Sequence, residues 1–513
     1  MPGNPVKTLC LALDSMEPRL LEEWCAQGLL PNLDRLFKSS VTAPVVTPRG
    51  LGNSVFWSCF FTCSNPAKNS QYYFRQIEPG SYTISPFLED KHYLRPPFWS
   101  AFDKAGLRVA VIDLVRAPLV PDLGGIQVVD WLSHDITGVP RSWPPNAIDE
   151  IHENFGTDPF EGSADDSFNE STDMALYLDD YMRRIEAKTE MSLAYMKQGN
   201  WDLFITTYSD PHDVGHNCWH LHDPSHPWHD AKIAERIGDP VKQVYMALDA
   251  AVGRLIEAAG DDATIMFLTG PGMGPNYSAN NMLEKILLHL EDPGEFKRSA
   301  KLLALQPYYR KLVPDALRKR LRNVTFSVQD HLAATERGRR RCFMIPHNDN
   351  SGAIRINLVG REPHGTVRPG EEFDKYCDEL TEQLLDLVNL ETGGPVVDEV
   401  VRVAEHCQGE NLDYLPDLLV VWNRDAYINA VTSPRTGDIH ADVHLMRSGD
   451  HTPNGIFAVS SPGLEPKRIN EKISPMDVGS TVTSWFGMSL PDADGSPIAS
   501  PVTPVKAREN LSA

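Results

Sequence analysis

The sequence predicts an α/β fold: a central, mostly parallel sheet flanked by helices and carrying cap insertions. Three observations carry that expectation. Short apolar runs recur at 7–13, 107–114, 203–208, 264–268, 418–422 and 456–460. The runs end in polar or glycine-rich turns and are followed by stretches of helical periodicity, the alternation of βαβ units. At 513 residues, 41% of them hydrophobic, the chain can also bury the large core that such a sheet needs.

Composition narrows the function. A net charge of −22 opposes binding to a polyanion, because nucleic-acid affinity comes largely from Lys and Arg neutralising phosphates. No nucleic-acid partner is expected. The eight cysteines are scattered, without the paired spacing of zinc ribbons or disulfide frameworks. The opening MPGNPVKTLCLALD reads as a first strand rather than an export signal, and no apolar run is long enough to span a bilayer. The expectation is a cytoplasmic protein with no membrane partner, its oligomeric state left open.

Parallel sheets bind ligands beyond the carboxyl ends of their strands. The chemistry is therefore expected in the turns after the runs, which carry Asp14, Asp113, Ser209 to His216, and Gly270 to Gly274. One α/β domain is expected over 1–495, with insertions at 135–175 and 292–345 and a flexible tail over 496–513. The second insertion holds a basic block, 297–341. It reads either as the solvated face of a cap or oligomer contact, or as a lid that attracts an anionic substrate. Between 353 and 406 the pattern gives a strand, a Gly/Pro turn, an amphipathic helix over 370–389 and a strand over 396–404.

Five strings resemble, in chain order, the type I phosphodiesterases and nucleotide pyrophosphatases of the alkaline phosphatase superfamily. LALDSMEPRLLEEWCAQGLLPNLDRLFKSS resembles their opening, with Asp14 at the metal-binding Asp and Gly28, Leu30, Pro31, Asn32 and Leu33 forming the segment that follows. TPRGLGNSVFWSCFFTCSNPAKNS resembles the nucleophile segment; counting back from Trp57 puts Asn53 at the nucleophile position, or Ser54 if the register shifts by one. DLFITTYSDPHDVGHNCWHLHDPSHP resembles the D-x-x-x-H metal pair, with His216 as the His and His212 in the Asp position. TIMFLTGPGMGPN resembles the strand before S-D-H-G-M-G, with Gly270 and Pro271 where the second cation's Asp and His stand. RSGDHTPNGIFAVSSPGL resembles the segment whose His, here His451, completes the first metal site.

The resemblance implies an alkaline-phosphatase-like sheet with one cation half-site kept as His212, His216 and His451 and the other reduced to Asp14. It implies one divalent metal per chain, zinc first, with iron or manganese as alternatives. Asn53 has no nucleophilic oxygen, so a covalent phospho-enzyme is not expected; its amide could orient water or bond a substrate oxygen. Asp14 is then a general base or an auxiliary ligand. Ser54, Asp210, Asp213, Arg447 and Asp450 are candidates for contacting substrate, and the carboxylates among them also for fixing an imidazole. Such loop groups are equally often plain surface.

Six of the 17 histidines, His212, His216, His220, His222, His226 and His229, fall between residues 212 and 229. The first three share one helical face, which suits a metal site or a stack of satisfied polar groups. The family pattern calls only on His212 and His216, so the others read as structural. His347, Asn348 and Asn350 are further candidates for lining a cleft.

The function expected is a metal-dependent hydrolase or transferase, phosphodiesterase- or phosphohydrolase-like, acting on a phosphate or related ester of a small anionic molecule through metal-activated water. Two other readings stand beside it: a catalytically inactive or regulatory binding member, and a different reaction at a mononuclear three-histidine centre.

Overall fold

The computed structural model describes residues 6–87, 90–134, 140–160, 168, 172–291, 334–348, 350–441 and 447–498, with Asn53 and Ser54 described by backbone alone. Two compact units emerge. The first is Met1–Asn69, Leu88–Asn276 and Met446–Ala513; the second is Ser70–Phe87 and Tyr277–Leu445.

The first unit is built on a nine-stranded sheet. Its order is Lys467–Arg468, Val41–Val46, Asn454–Ser460, Thr264–Leu268, Val6–Leu13, Trp201–Tyr208, Val109–Ile112, Ile126–Val129 and Arg141–Trp143. Val6–Leu13 lies in the middle, parallel to Trp201–Tyr208 on one side and Thr264–Leu268 on the other. These runs are apolar almost throughout because both faces of the sheet are covered. Alternation along the first strand shows it. Leu9, Leu11 and Leu13 enter one core with residues of the helices Pro18–Ala26, Met174–Lys197 and Pro240–Ala259. Cys10 and Ala12 enter a second core with residues of the helices Asn53–Thr62, Trp99–Lys104 and Pro475–Trp485.

The runs at 7–13, 107–114, 203–208 and 264–268 all supply parallel strands of this sheet. The run at 456–460 joins it antiparallel, between Thr264–Leu268 and Val41–Val46. The run at 418–422 does not join it. Leu418–Trp422 belongs to the second unit, in a four-stranded antiparallel sheet ordered Cys342–Ile345, Ser351–Ile356, Leu418–Trp422, Val397–Arg402. An apolar run reports burial on both faces, not the direction of its neighbours. The helix and strand expected between 353 and 406 are present as Glu371–Leu385 and Val397–Arg402.

Of the segments expected as insertions, most of the second, 292–333, lies outside the described residues, as do 135–139, 161–167 and 169–171 of the first and the tail from 499; the described part of the first gives the edge strand Arg141–Trp143 of the main sheet and the helix Ala147–Phe155. Most of the basic block goes with them. Of its described part, Arg340 is buried and paired with Glu284 and Glu291 inside the second unit. Among the described residues no helix is long and apolar enough to cross a membrane.

Candidate metal centre

Three strand ends and one ribbon build the site, all within the first unit. Where Val6–Leu13 ends, the Asp14 N–H donates to the Tyr208 carbonyl (2.8 Å) and the Ser15 N–H to that of Thr269 (2.7 Å), tying the three central strands together at their carboxyl ends. Ser15 sits at φ +66°, in the left-handed region that costs a non-glycine residue about 1 kcal/mol. Its hydroxyl recovers contacts there, to Asp14 Oδ1 (3.2 Å) and to the Nδ1 atoms of His212 and His451 (3.3 Å each).

After Trp201–Tyr208 the chain turns into the helix Asp210–His222, with Pro211 in its first turn. Pro is favoured there because that N–H has no intrahelical acceptor. His212 and His216, four residues apart, project from one face. His451 comes from Gly449–Thr452, which pairs antiparallel with Gly272–Pro275, so that Met273 lies opposite His451. This ribbon lies against the helix. A Cβ on Gly449 would stand 2.1 Å from the Gly215 carbonyl oxygen, so only glycine allows the approach.

His212, His216 and His451 are buried and each offers a nitrogen within 4.8 Å of the others. Their ring centroids are 4.6, 4.7 and 4.8 Å apart. The His216 Nδ1–H donates to the Gly449 carbonyl (2.7 Å), and the His212 Nδ1–H to Asp14 Oδ2 (2.9 Å). A carbonyl or carboxylate can only accept, so the lone pair of each ring is on Nε2. The His216 and His451 Nε2 atoms face each other at 3.3 Å. Two nitrogens bound at about 2.05 Å to a tetrahedral zinc stand roughly 3.3 Å apart. The donor set fits a first-row cation. Burial, followed by the neighbouring His212 and His216 and the Arg447 charge, holds His451 well below the usual imidazole range, which keeps it an uncharged donor.

The second half-site has no such fit. Gly270 and Pro271 bring no donor, and a Cβ on Gly270 would stand 3.0 Å both from Asp14 Oδ1 and from the Trp57 ring. The Trp57 Nε1–H donates to that same Asp14 oxygen (2.9 Å).

The remaining candidates divide. Asp213 does fix an imidazole, but that of His134: His134 Nδ1 bonds Asp213 Oδ1, while Arg184 holds Oδ2 at 2.9 Å. Both carboxylate oxygens are thus engaged below the surface. Asp210 is buried 3.7 Å from Arg184, and burial pushes its carboxyl up to about 6. Asp450 is buried in the ribbon, opposite Gly274. Arg447 precedes the ribbon, half-buried. Asn53 and Ser54 begin the helix Asn53–Thr62, and their side chains lie outside the described residues. His347 is buried in the second unit, where its ring lies near-parallel to those of Tyr72 and Tyr73, and is not part of the cluster. Asn348 follows it there, and Asn350 precedes the strand Ser351–Ile356.

Of the other clustered histidines, His220 bonds Ser448 Oγ (3.0 Å), His222 bonds Asp239 (2.8 Å) and His229 bonds the His220 carbonyl (2.7 Å). The His226 Nδ1 accepts from the Trp228 N–H. None of these four is in the group formed by His212, His216 and His451.

Sequence reasoning missed His134. Its ring lies 3.8 Å from that of His212. Asp113, expected near the chemistry, works on this loop instead: it accepts from the Trp131 and Leu132 N–H groups (2.9 Å each) and pairs with buried Lys188 (3.0 Å). Lys188 in turn donates to the Leu132 and Thr207 carbonyls. The one available signal was a His five residues beyond a strand end.

Residues 8–446 match the family described as type I phosphodiesterase / nucleotide pyrophosphatase. The chain belongs to that family. As a type I phosphodiesterase family member it falls in the alkaline phosphatase superfamily, with hydrolytic enzymes as its relatives. The phosphonoacetate hydrolase of Sinorhizobium meliloti 1021, solved with phosphonoacetate, is similar at 15% identity and a TM-score of 0.50, over 93% of this chain and 95% of that one. Murine ectonucleotide pyrophosphatase / phosphodiesterase 5 is similar at 11% identity and a TM-score of 0.51, over 96% and 97%. At such identities the likeness shows the fold of this phosphodiesterase-family chain. No curated protein matches it in sequence.

Proposed function

We propose that this chain is a one-metal hydrolase or transferase acting on a phosphate or related ester of a small anionic molecule. The observation that carries this reading is the trio His212, His216 and His451, buried at the strand ends with the Nε2 atoms of two of them 3.3 Å apart. Three imidazoles suit zinc first, with iron or manganese as alternatives. A cation held there would polarise the ester and lower the pKa of an attacking water.

The chain's own residues do the rest. Gly449 and Asp14 fix the tautomers and aims of His216 and His212. The start of the helix Asn53–Thr62 would offer backbone N–H groups to an anion that reached it. Asn53 at that start could orient water or a substrate oxygen without forming a covalent intermediate. The eight cysteines are free thiols, which suits a reducing compartment, and we place the protein in the cytoplasm.

Elemental analysis of protein purified without added metal tests the reading, beside a His212→Ala/His451→Ala variant. About one metal per chain, lost in the variant, is expected. Two per chain would contradict it, and none would favour a non-catalytic binding member. A panel of phosphodiester, phosphomonoester and sulfate esters then tests for turnover, which should vanish in His216→Ala.

A further inference from the structure

Asp14 is fully buried at the end of the central strand, and a buried carboxylate persists only where its oxygens are matched by donors. Its Oδ2 receives the His212 Nδ1–H at 2.9 Å. Its Oδ1 receives the Trp57 indole N–H at 2.9 Å and the Ser15 hydroxyl at 3.2 Å. The indole is itself locked, fully buried and edge-packed on Phe56 and Phe60. Across from it the chain has glycine at 270, where a Cβ would stand 3.0 Å from the ring. The ring edge therefore crowds the space that a ligand side chain at 270 would need.

We infer that Trp57 stands in for a second cation: its indole crowds that space and its N–H holds Asp14, which makes Asp14 the positioning residue for His212 rather than a metal ligand. This rests on the one-metal reading above and adds a chain of command to it, from Trp57 through Asp14 to His212. Among the described side chains none completes a second site around Asp14, so one cation is expected. Removing Trp57 does not supply the donors that Gly270 and Pro271 lack.

Cobalt(II) titration of the metal-free full-length chain, followed by its visible spectrum, tests this with Asp14→Asn, Trp57→Phe and the double variant. Wild type should take up one equivalent with a tetrahedral spectrum. Asp14→Asn should weaken binding about 10- to 100-fold, the usual range for a lost partner of a ligating histidine. Trp57→Phe, which keeps the ring's bulk without its donor, should weaken it by a smaller factor and still give one equivalent. The double variant should be no weaker than Asp14→Asn alone, because Trp57 acts through Asp14. Nitrogen-15 shifts of metal-free protein add a readout without metal: His212 should be the Nδ1–H tautomer in wild type and a tautomer mixture in Asp14→Asn.

A second equivalent in wild type or Trp57→Phe overturns the inference, as do additive losses in the double variant or an unchanged tautomer. If Asp14→Asn fails to fold, an unaltered affinity in Trp57→Phe still overturns it. A wild type that binds no cobalt sinks the one-metal reading instead, and the tautomer result then stands alone for or against the Asp14–His212 link.

Discussion

His216 and His451, 235 residues apart in sequence, bring their Nε2 atoms to 3.3 Å, and both present lone pairs when the His216 Nδ1–H goes to Gly449 and the Ser15 hydroxyl, donating to Asp14, accepts from the His451 Nδ1–H. Two lone pairs facing each other repel, and a cation between them turns that repulsion into attraction. Metal should therefore raise stability by mass action. The melting temperature of wild type should fall on chelation and recover with zinc, and His216→Ala or His451→Ala should show neither response. Differential scanning calorimetry with and without chelator measures it.

Arg184 is almost fully buried and neutralised by Asp213 at 2.9 Å, with Asp158 and Asp210 farther off at 3.8 and 3.7 Å. Removing one partner of such a pair strands a charge, which costs about 3–5 kcal/mol. Asp213→Ala should lose that much in urea denaturation. His134→Ala, which leaves the Arg184–Asp213 pair intact, should lose less than half as much.

Burial lowers two histidines to about 4, His220 in the first unit and His347 in the second. For His220 the neighbouring His226 and His229 add to the effect. Both folded values lie below the unfolded value of 6.5, so the unfolded chain binds these protons first. Stability is intact above pH 6.5 and declines as pH falls towards 4, by roughly 1.4 kcal/mol per pH unit for each group. Replacing His347 with Gln should flatten that slope by about one proton in denaturation curves measured between pH 6.5 and 4.5.

Gly449 lets the ribbon touch the helix Asp210–His222, with its Cα facing the Gly215 carbonyl. Gly449→Ala forces the two apart, an overpacking that costs about 1–3 kcal/mol. It also pulls the carbonyl away from His216 Nδ1. Metal affinity, by competition with a chelator, should fall alongside the urea midpoint.

Much of this was legible in the sequence. The strands at 7–13, 203–208 and 264–268 announce themselves because burial on both faces demands unbroken apolar runs, and the turn after each holds site residues. His212 and His216 are legible because four residues is one helical turn. Trp57 and His134 were not. Their roles rest on contacts across 43 and 79 residues, to Asp14 and Asp213, and no local spacing encodes such pairs. Leu418–Trp422 was misplaced for a related reason: its apolar side chains report a core, but the partners that decide which core are Ser351–Ile356 and Val397–Arg402.

The ribbon of Gly272–Pro275 and Gly449–Thr452 also fixes when the centre can exist. A nascent chain emerges amino end first, so Asp14, His212 and His216 are all made before the strand bearing His451, which must reach back across the 173 residues from 276 to 448 to pair with its partner. Until that closure the cluster has two imidazoles and no third. A ribosome stalled between residues 275 and 449 holds a chain with seven of the nine strands of its main sheet and an incomplete centre, so tight metal uptake during synthesis would mark the arrival of the last part of the fold.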